Sequence, residues 1–179
     1  MIIYPLQITV SDGVVGEYSF GICNRDLPDL PWELNDIVEN TWYSISPPSV
    51  DSVDLNDVTH DGFGKLTVTK TESYYISWVL ALPYEGGLDK GQFDGERLEN
   101  CVETAVKVDG ELITQNQDDW SLNEVVSNWC IVNIDAGDIV DINIRSITPP
   151  ISTIIMDLMY LEVIEIIPGL EHHFPSVFI

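Results

Sequence analysis

The stretch NWCIVNIDAGDIVDINIR, residues 128–145, decides how this chain folds. In its first arm Cys130, Val132 and Ile134 alternate with Ile131 and Asn133, and in its second Val140, Ile142 and Ile144 alternate with Ile139, Asp141 and Asn143. Successive side chains of a strand point to opposite faces, so this period of two predicts two strands with one buried side each. Between the arms lies Asp135-Ala136-Gly137-Asp138, where Gly137 tolerates positive φ and the aspartates can bond nearby amides. The stretch reads as a β-hairpin whose dry face, Cys130, Val132, Ile134, Val140, Ile142 and Ile144, belongs in a core.

Upstream, Glu111–Thr114 and Val102–Val108 flank Asp109-Gly110, a strong hairpin signal in which Gly110 supplies the positive φ. Further back, residues 74–82 place Tyr74, Ile76, Trp78, Leu80 and Leu82 on one face and Tyr75, Ser77, Val79 and Ala81 on the other. A strand apolar on both sides is central in its sheet. Downstream of Pro149-Pro150, Thr153–Ile167 reads as one long strand, with Met156, Leu158 and Tyr160 alternating with Asp157, Met159 and Leu161. At the start, Tyr4–Val10 and Val14–Cys23 are read as a hairpin around Ser11-Asp12-Gly13. Pro28 and Pro31 interrupt the pattern, and a short helix is expected through Trp32, Leu34 and Val38. Residues 49–64 are acidic and rich in turn formers. Many strands joined by loops, with little helix, predict an all-β, antiparallel jelly-roll β-sandwich. An N-terminal extension over 1–50 and a jelly-roll domain with a C-terminal tail over 51–179 complete the expected organisation.

Composition narrows the function. The 179 residues hold 7 Lys+Arg against 30 Asp+Glu, a formal charge of −23, which repels nucleic-acid phosphates and anionic lipid; neither nucleic acid nor membrane is an expected partner. Hydrophobic residues make up 45% of the chain, enough for a core without a metal or a disulfide framework, and Cys23, Cys101 and Cys130 are read as buried free thiols. No secretory leader or spanning segment is read from the sequence, so a soluble protein made in the cytoplasm is expected.

Catalytic patterns are missing from the sequence. A nucleophilic triad requires a histidine near a serine or cysteine, and His60, His172 and His173 stand in no such context; there is no GxSxG, P-loop or HExxH. Asp51, Asp54, Asp57 and Asp61 raise a calcium site, but their spacing fits no EF-hand and so acidic a chain produces such clusters by chance. No cofactor, metal or enzymatic activity is expected. Trp32 and Trp120, placed in loops, are the candidate partner contacts, whereas Trp78 alternates with aliphatics and is assigned to packing. Arg145, on the polar row with Asp141 and Asn143, is expected to pair with a carboxylate.

Four segments in series resemble the trimeric jelly rolls of the tumour necrosis factor and complement globular-head superfamily. GKLTVTKTESYYISWVLAL (64–82) resembles a strand pair of that family and VETAVKVDGELI (102–113) its next hairpin. CIVNIDAGDIVDINI (130–144) resembles a Gly-Asp-containing hairpin, with Gly137 and Asp138 in the matching places, and STIIMDLMYLEV (152–163) the closing strand. The resemblance implies a homotrimer, with Tyr74, Tyr75, Trp78, Met156, Leu158 and Tyr160 as candidate core or trimer contacts. Viruses of bacteria and archaea reuse this fold. Residues 1–50 without a counterpart, no catalytic set and an acidic surface therefore suggest a non-enzymatic capsid decoration (cement), head-fibre or spike protein. Its place would be the virion surface and its partners the major capsid or other virion proteins. The alternative is a carbohydrate-binding or receptor-binding adhesin module.

Overall fold

The alternation at 128–145 does build two strands, but they lie in different sheets. The computed structural model describes residues 7–9, 18–26, 32–81, 102–117, 125–147, 153–156, 158–167 and 171–173. In chain order the strands are β1 (Gln7–Thr9), β2 (Phe20–Asp26), β3 (Trp32–Asn35), β4 (Tyr43–Ser44), β5 (Ser52–Asn56), β6 (Val58–His60), β7 (Leu66–Val68) and β8 (Glu72–Ala81). There follow β9 (Val102–Val108), β10 (Glu111–Gln117), β11 (Val125–Ile134), β12 (Ile139–Ser146), β13 (Thr153–Met156), β14 (Leu158–Glu165) and β15 (Glu171–His173). One sheet runs β11-β8-β14-β2-β5 and the other β10-β9-β12-β7-β6, with β4 also on β12. Each described pairing is antiparallel, and the protein is an all-β jelly-roll sandwich.

The expected hairpin at 128–145 is therefore corrected. β11 pairs with β8 and β12 with β9, β7 and β4, so Asp135–Asp138 carries the chain from one sheet to the other. Gly137, at φ 101°, makes the bend, and its N–H donates to Val68 O at 2.9 Å while Val68 N–H donates to Asp138 O at 3.2 Å. The amide of Ala136 donates to Thr71 Oγ1 at 3.0 Å, so the bend is fastened to β7 and its exit. The turn chemistry was real; its partner was remote. By contrast Asp109 and Gly110, at φ 47° and 82°, close a true two-residue hairpin between β9 and β10.

The dry faces of both arms meet between the sheets. Val140, Ile142, Ile144 and Ile134 are buried, with Cys130 and Val132 packed against them at the margin. Facing the β12 residues, in the same sheet as β11, stand Tyr74, Ile76, Trp78 and Leu80 of β8 and Met159, Leu161 and Val163 of β14. Tyr74 reaches the edge of this layer and donates its phenol to Lys70 O at 3.0 Å, which satisfies the one polar atom it carries inward. Cys23 and Cys130 are free thiols, pushed up to about 12 and about 11 by burial, which keeps them protonated and unreactive. Cys101 lies outside the described residues.

Other expectations change as well. β1 pairs with β15, and β2 lies between β14 and β5, so the described parts of 4–10 and 14–23 form no hairpin with each other. β2 is thus an interior strand of the five-stranded sheet, and β4 lies on β12 of the other. Residues 32–35 form a strand on β13 where a helix was expected: Trp32 and Leu34 obey a period of two as readily as one of nearly four. Where one long strand was expected over 153–167 there are two; β13 pairs with β3, while β14 lies between β8 and β2. The acidic stretch 49–64 contains β5 and β6, one at the edge of each sheet, joined through Asp57 at φ 53°.

Among the described glycines at positive φ, Gly64 is the most closely packed. At φ 97° a Cβ there would sit 2.8 Å from Met159 Cε and 3.2 Å from Pro47 Cδ. Gly64→Ala is expected to cost about 2 kcal/mol through backbone strain and overpacking together, read as a lowered urea midpoint at unchanged slope. A neutral result would show that the loop before β7 relaxes freely.

Candidate interaction face

The five-stranded sheet has a second apolar side, turned away from the core. Register aligns its outward residues in rows: Ile131, Tyr75, Ile164 and Phe20; then Trp129, Ser77, Glu162 and Ile22; then Ser127, Val79, Tyr160 and Asn24. Val79, Leu158 and Tyr160 form a cluster separate from the main core, with Ile22 and Ala81 against it. The ring of Tyr75 stacks on that of Trp129 at 6.0 Å between centroids. Trp129 is 58% exposed and Ile131 52% exposed, so the face continues into solvent along β11. Large exposed aromatics continuous with buried ones mark a contact surface.

On β11, β8 and β14 the described rows of this face hold one carboxylate. Glu162 is only 1% exposed; its Oε2 accepts from Ser77 Oγ at 2.8 Å, and its Oε1 is buried with no hydrogen-bond partner. Burial raises its carboxyl above the ordinary carboxylate range, while the Ser77 hydroxyl and the Tyr160 phenol pull it partly back. The phenols beside it respond in kind: Tyr75 is pushed up to about 12 and Tyr160 further still, by burial first and then by the charge of Glu162.

The candidate contacts sort by strand phase. Tyr74, Trp78 and Met156 lie in the main core, whereas Tyr75, Leu158 and Tyr160 lie on the outward side. Met156 ends β13 and Leu158 begins β14, so the two face different ways, whereas a single continuous strand would have placed them together. Trp32, read as a loop contact, is a buried residue of β3 lying under the Arg25 guanidinium at 5.1 Å. Trp120 lies outside the described residues. Trp129 and Ile131 escaped notice although their signal was in the sequence: they are the apolar members of the row read as wet.

The outward side of the other sheet is polar and carries local ion pairs. Arg145 pairs with Glu103 across β12 and β9, and its guanidinium lies 4.6 Å above the Trp42 ring; Lys65 reaches Asp141 at 3.8 Å. Arg145→Leu is expected to cost about 2 kcal/mol, because Glu103 would be left largely buried and unpaired. Adding Glu103→Leu should restore most of it, and a double-mutant cycle in urea reads the difference. Of the aspartates at 51–61, Asp51 accepts from Asp26 N–H at 2.7 Å, Asp57 binds Lys70 at 2.7 Å, and Asp61 accepts from Phe63 and Lys65 amides. These acids serve separate local bonds. No three His, Cys, Asp or Glu side chains among the described residues could hold a metal ion, and no described helix is long and apolar enough to cross a membrane.

No family model matches the chain, and no curated protein matches it either. Solved structures do. The crystal structure of murine APRIL at pH 8.0 superposes with a TM-score of 0.51 at 10% identity, covering 83% of this chain and 99% of that one. Eiger TNF from S. frugiperda gives 0.52 at 7% identity, with 92% and 100% covered, and the globular domain of zebrafish complement 1qA gives 0.52 at 14%, with 84% and 98% covered. These overturn the viral part of the expectation: the structures are TNF-type and complement-head domains from mouse, S. frugiperda and zebrafish, not proteins of a virus shell. The assignments to capsid decoration, head fibre and spike, to capsid partners and to the virion surface are withdrawn, because a shared jelly roll had carried them and it leads elsewhere. At such low identity what is held in common is architecture: this chain has a jelly-roll fold like that of the TNF-type and complement globular-head domains.

Proposed function

We propose that the protein is a non-enzymatic ligand module that assembles with copies of itself through the outward face of the five-stranded sheet and presents its remaining surface to a receptor. The observation that carries this reading is the aromatic face of β11, β8 and β14. In a chain of net charge −23 it is the region where two copies can approach with little repulsion, since Glu162 is the sole charged residue in its three described rows on those strands. The fold likeness supports three copies about a common axis. Light scattering tests the reading: a mass three times the 20.1 kDa protomer is expected, and a monomer at every concentration would end it.

Receptor recognition then falls to loops and to the acidic outer surface, where basic complementary patches are favoured. The labelled chain, applied to displayed receptor ectodomains and to a glycan array, should give saturable binding to a protein target that weakens with salt. Binding confined to glycans would favour a carbohydrate-binding module instead.

A further inference from the structure

The assembly face contains a feature that an ordinary packing surface lacks. Glu162 lies in the middle row of the face, between Trp129 and Ser77 on one side and Ile22 on the other. One of its oxygens is held by Ser77 and the other is buried without a partner. In a single protomer its row neighbours Ser77 and Ile22 are half-buried and Trp129 is exposed, so solvent reaches the surroundings of this carboxylate though not the group itself. Covering the face with a second copy excludes that remaining solvent, and the cost of an ionised group rises further as its surroundings are desolvated.

We infer that Glu162 is a proton gate on self-assembly: copies close through this face when its carboxyl is protonated and are held apart when it is ionised. The inference rests on the self-assembly reading above. A protonated carboxyl also supplies an O–H donor, which the orphaned Oε1 position and the buried, unpartnered Asn24 Oδ1 of β2 show this face to be short of. The groups facing Glu162 are Ser77 and Tyr75 on β8, Tyr160 on its own strand, Ile22 on β2 and Trp129 on β11, with Asp54 of β5 further along the same row. No cation is among them, so the ionised form is met only by the hydroxyls of Ser77 and Tyr160 and by no opposite charge among these groups. Burial in the protomer already raises this carboxyl, and closure raises it again.

The sign follows from linkage. A group whose pKa rises on assembly takes up a proton on assembly, so association strengthens as pH falls through the raised value. It levels off once the free protomer is protonated too. With one proton per protomer the trimer association constant changes by up to about a thousandfold per pH unit. General loss of negative charge acts in the same direction, but it is screened by salt, whereas a desolvated group is not.

Sedimentation velocity between about pH 5 and about pH 8, at high salt, tests the gate. Wild type should assemble more tightly toward the acid end, and Glu162→Gln should assemble at neutral pH with a nearly flat profile. Ser77→Ala, which keeps the carboxyl but removes the donor that favours its charged form, should move the wild-type curve to higher pH. A steep profile retained in Glu162→Gln, or an unmoved curve in Ser77→Ala, would overturn the gate while leaving self-assembly intact. Absence of association in wild type and both variants at every pH would instead remove the self-assembly reading, and the gate with it.

Discussion

Trp78→Ala is expected to lower the unfolding free energy by about 3–5 kcal/mol, the range for deleting a fully buried indole. Trp78 lies in the middle of β8, opposite Asn128 on one neighbour and Leu161 on the other, and is wholly buried between the sheets. No neighbouring strand can slide in to fill the space, because β8 is paired along both edges. Typical domains have only about 5–15 kcal/mol in total, so the variant should be near unfolding or past it at room temperature. Trp78→Phe should cost far less, about 1–2 kcal/mol, since it leaves a smaller void and removes an indole N–H that has no hydrogen-bond partner. Urea titration followed by far-UV circular dichroism measures both. A small loss in Trp78→Ala would mean that the inward and outward faces of β8 are interchanged, because a strand has only two phases.

Ile131→Glu is expected to abolish self-assembly while leaving the protomer folded. Ile131 is half exposed on the outward side of β11, opposite Tyr75, so a charge there costs the isolated protomer little, within about 0.5 kcal/mol. Once the face is covered, the same carboxylate must be desolvated beside aromatic rings, without a cation to meet it. A penalty of about 3 kcal/mol per contact corresponds to a loss of more than about a hundredfold in association. Trp129→Glu should behave alike and should also break the stack with Tyr75. Light scattering read beside an unchanged urea midpoint separates lost assembly from lost folding. An Ile131→Glu protein of undiminished mass would move the contact to another surface.

Strand phase was legible in the sequence because it is local. The alternation over 74–81 and 130–144 fixes which side chains point together, and those inward sets are the ones found between the sheets. Pairing partners were not legible, since a glycine and two aspartates report the φ at a bend and say nothing about which strand waits on the other side. Asp109-Gly110 and Asp135–Asp138 look alike on paper, yet one closes a hairpin and the other bridges two sheets. Trp32 misled for a related reason: nearby prolines suggested a loop, but the strand at 153–156, far along the chain, recruits it into a ladder. On the interaction face, Glu162 read as an acidic break in an apolar run. Its burial depends on Tyr75, Ser77 and Tyr160, only the last of which is near it in sequence. The virion assignment came from fold analogy and missing motifs, neither of which describes a surface.

The bridge at Asp135–Asp138 also bears on how the chain reaches its native state. Its two arms are sequence neighbours that cannot zip together, so each must find a partner formed from earlier chain: β8 for one, β9 and β7 for the other. The ladders β9–β10 and β6–β7 are the described ones that close over short loops. These two short-loop pairings are then the natural seeds, and the five-stranded sheet, whose strands come from both ends of the described chain, assembles around them late. Folding dominated by such distant pairings proceeds in milliseconds to seconds. During that interval the aromatic face of β8 and β14 is open, and the charge of −23 that surrounds it keeps half-made chains from meeting through it too soon.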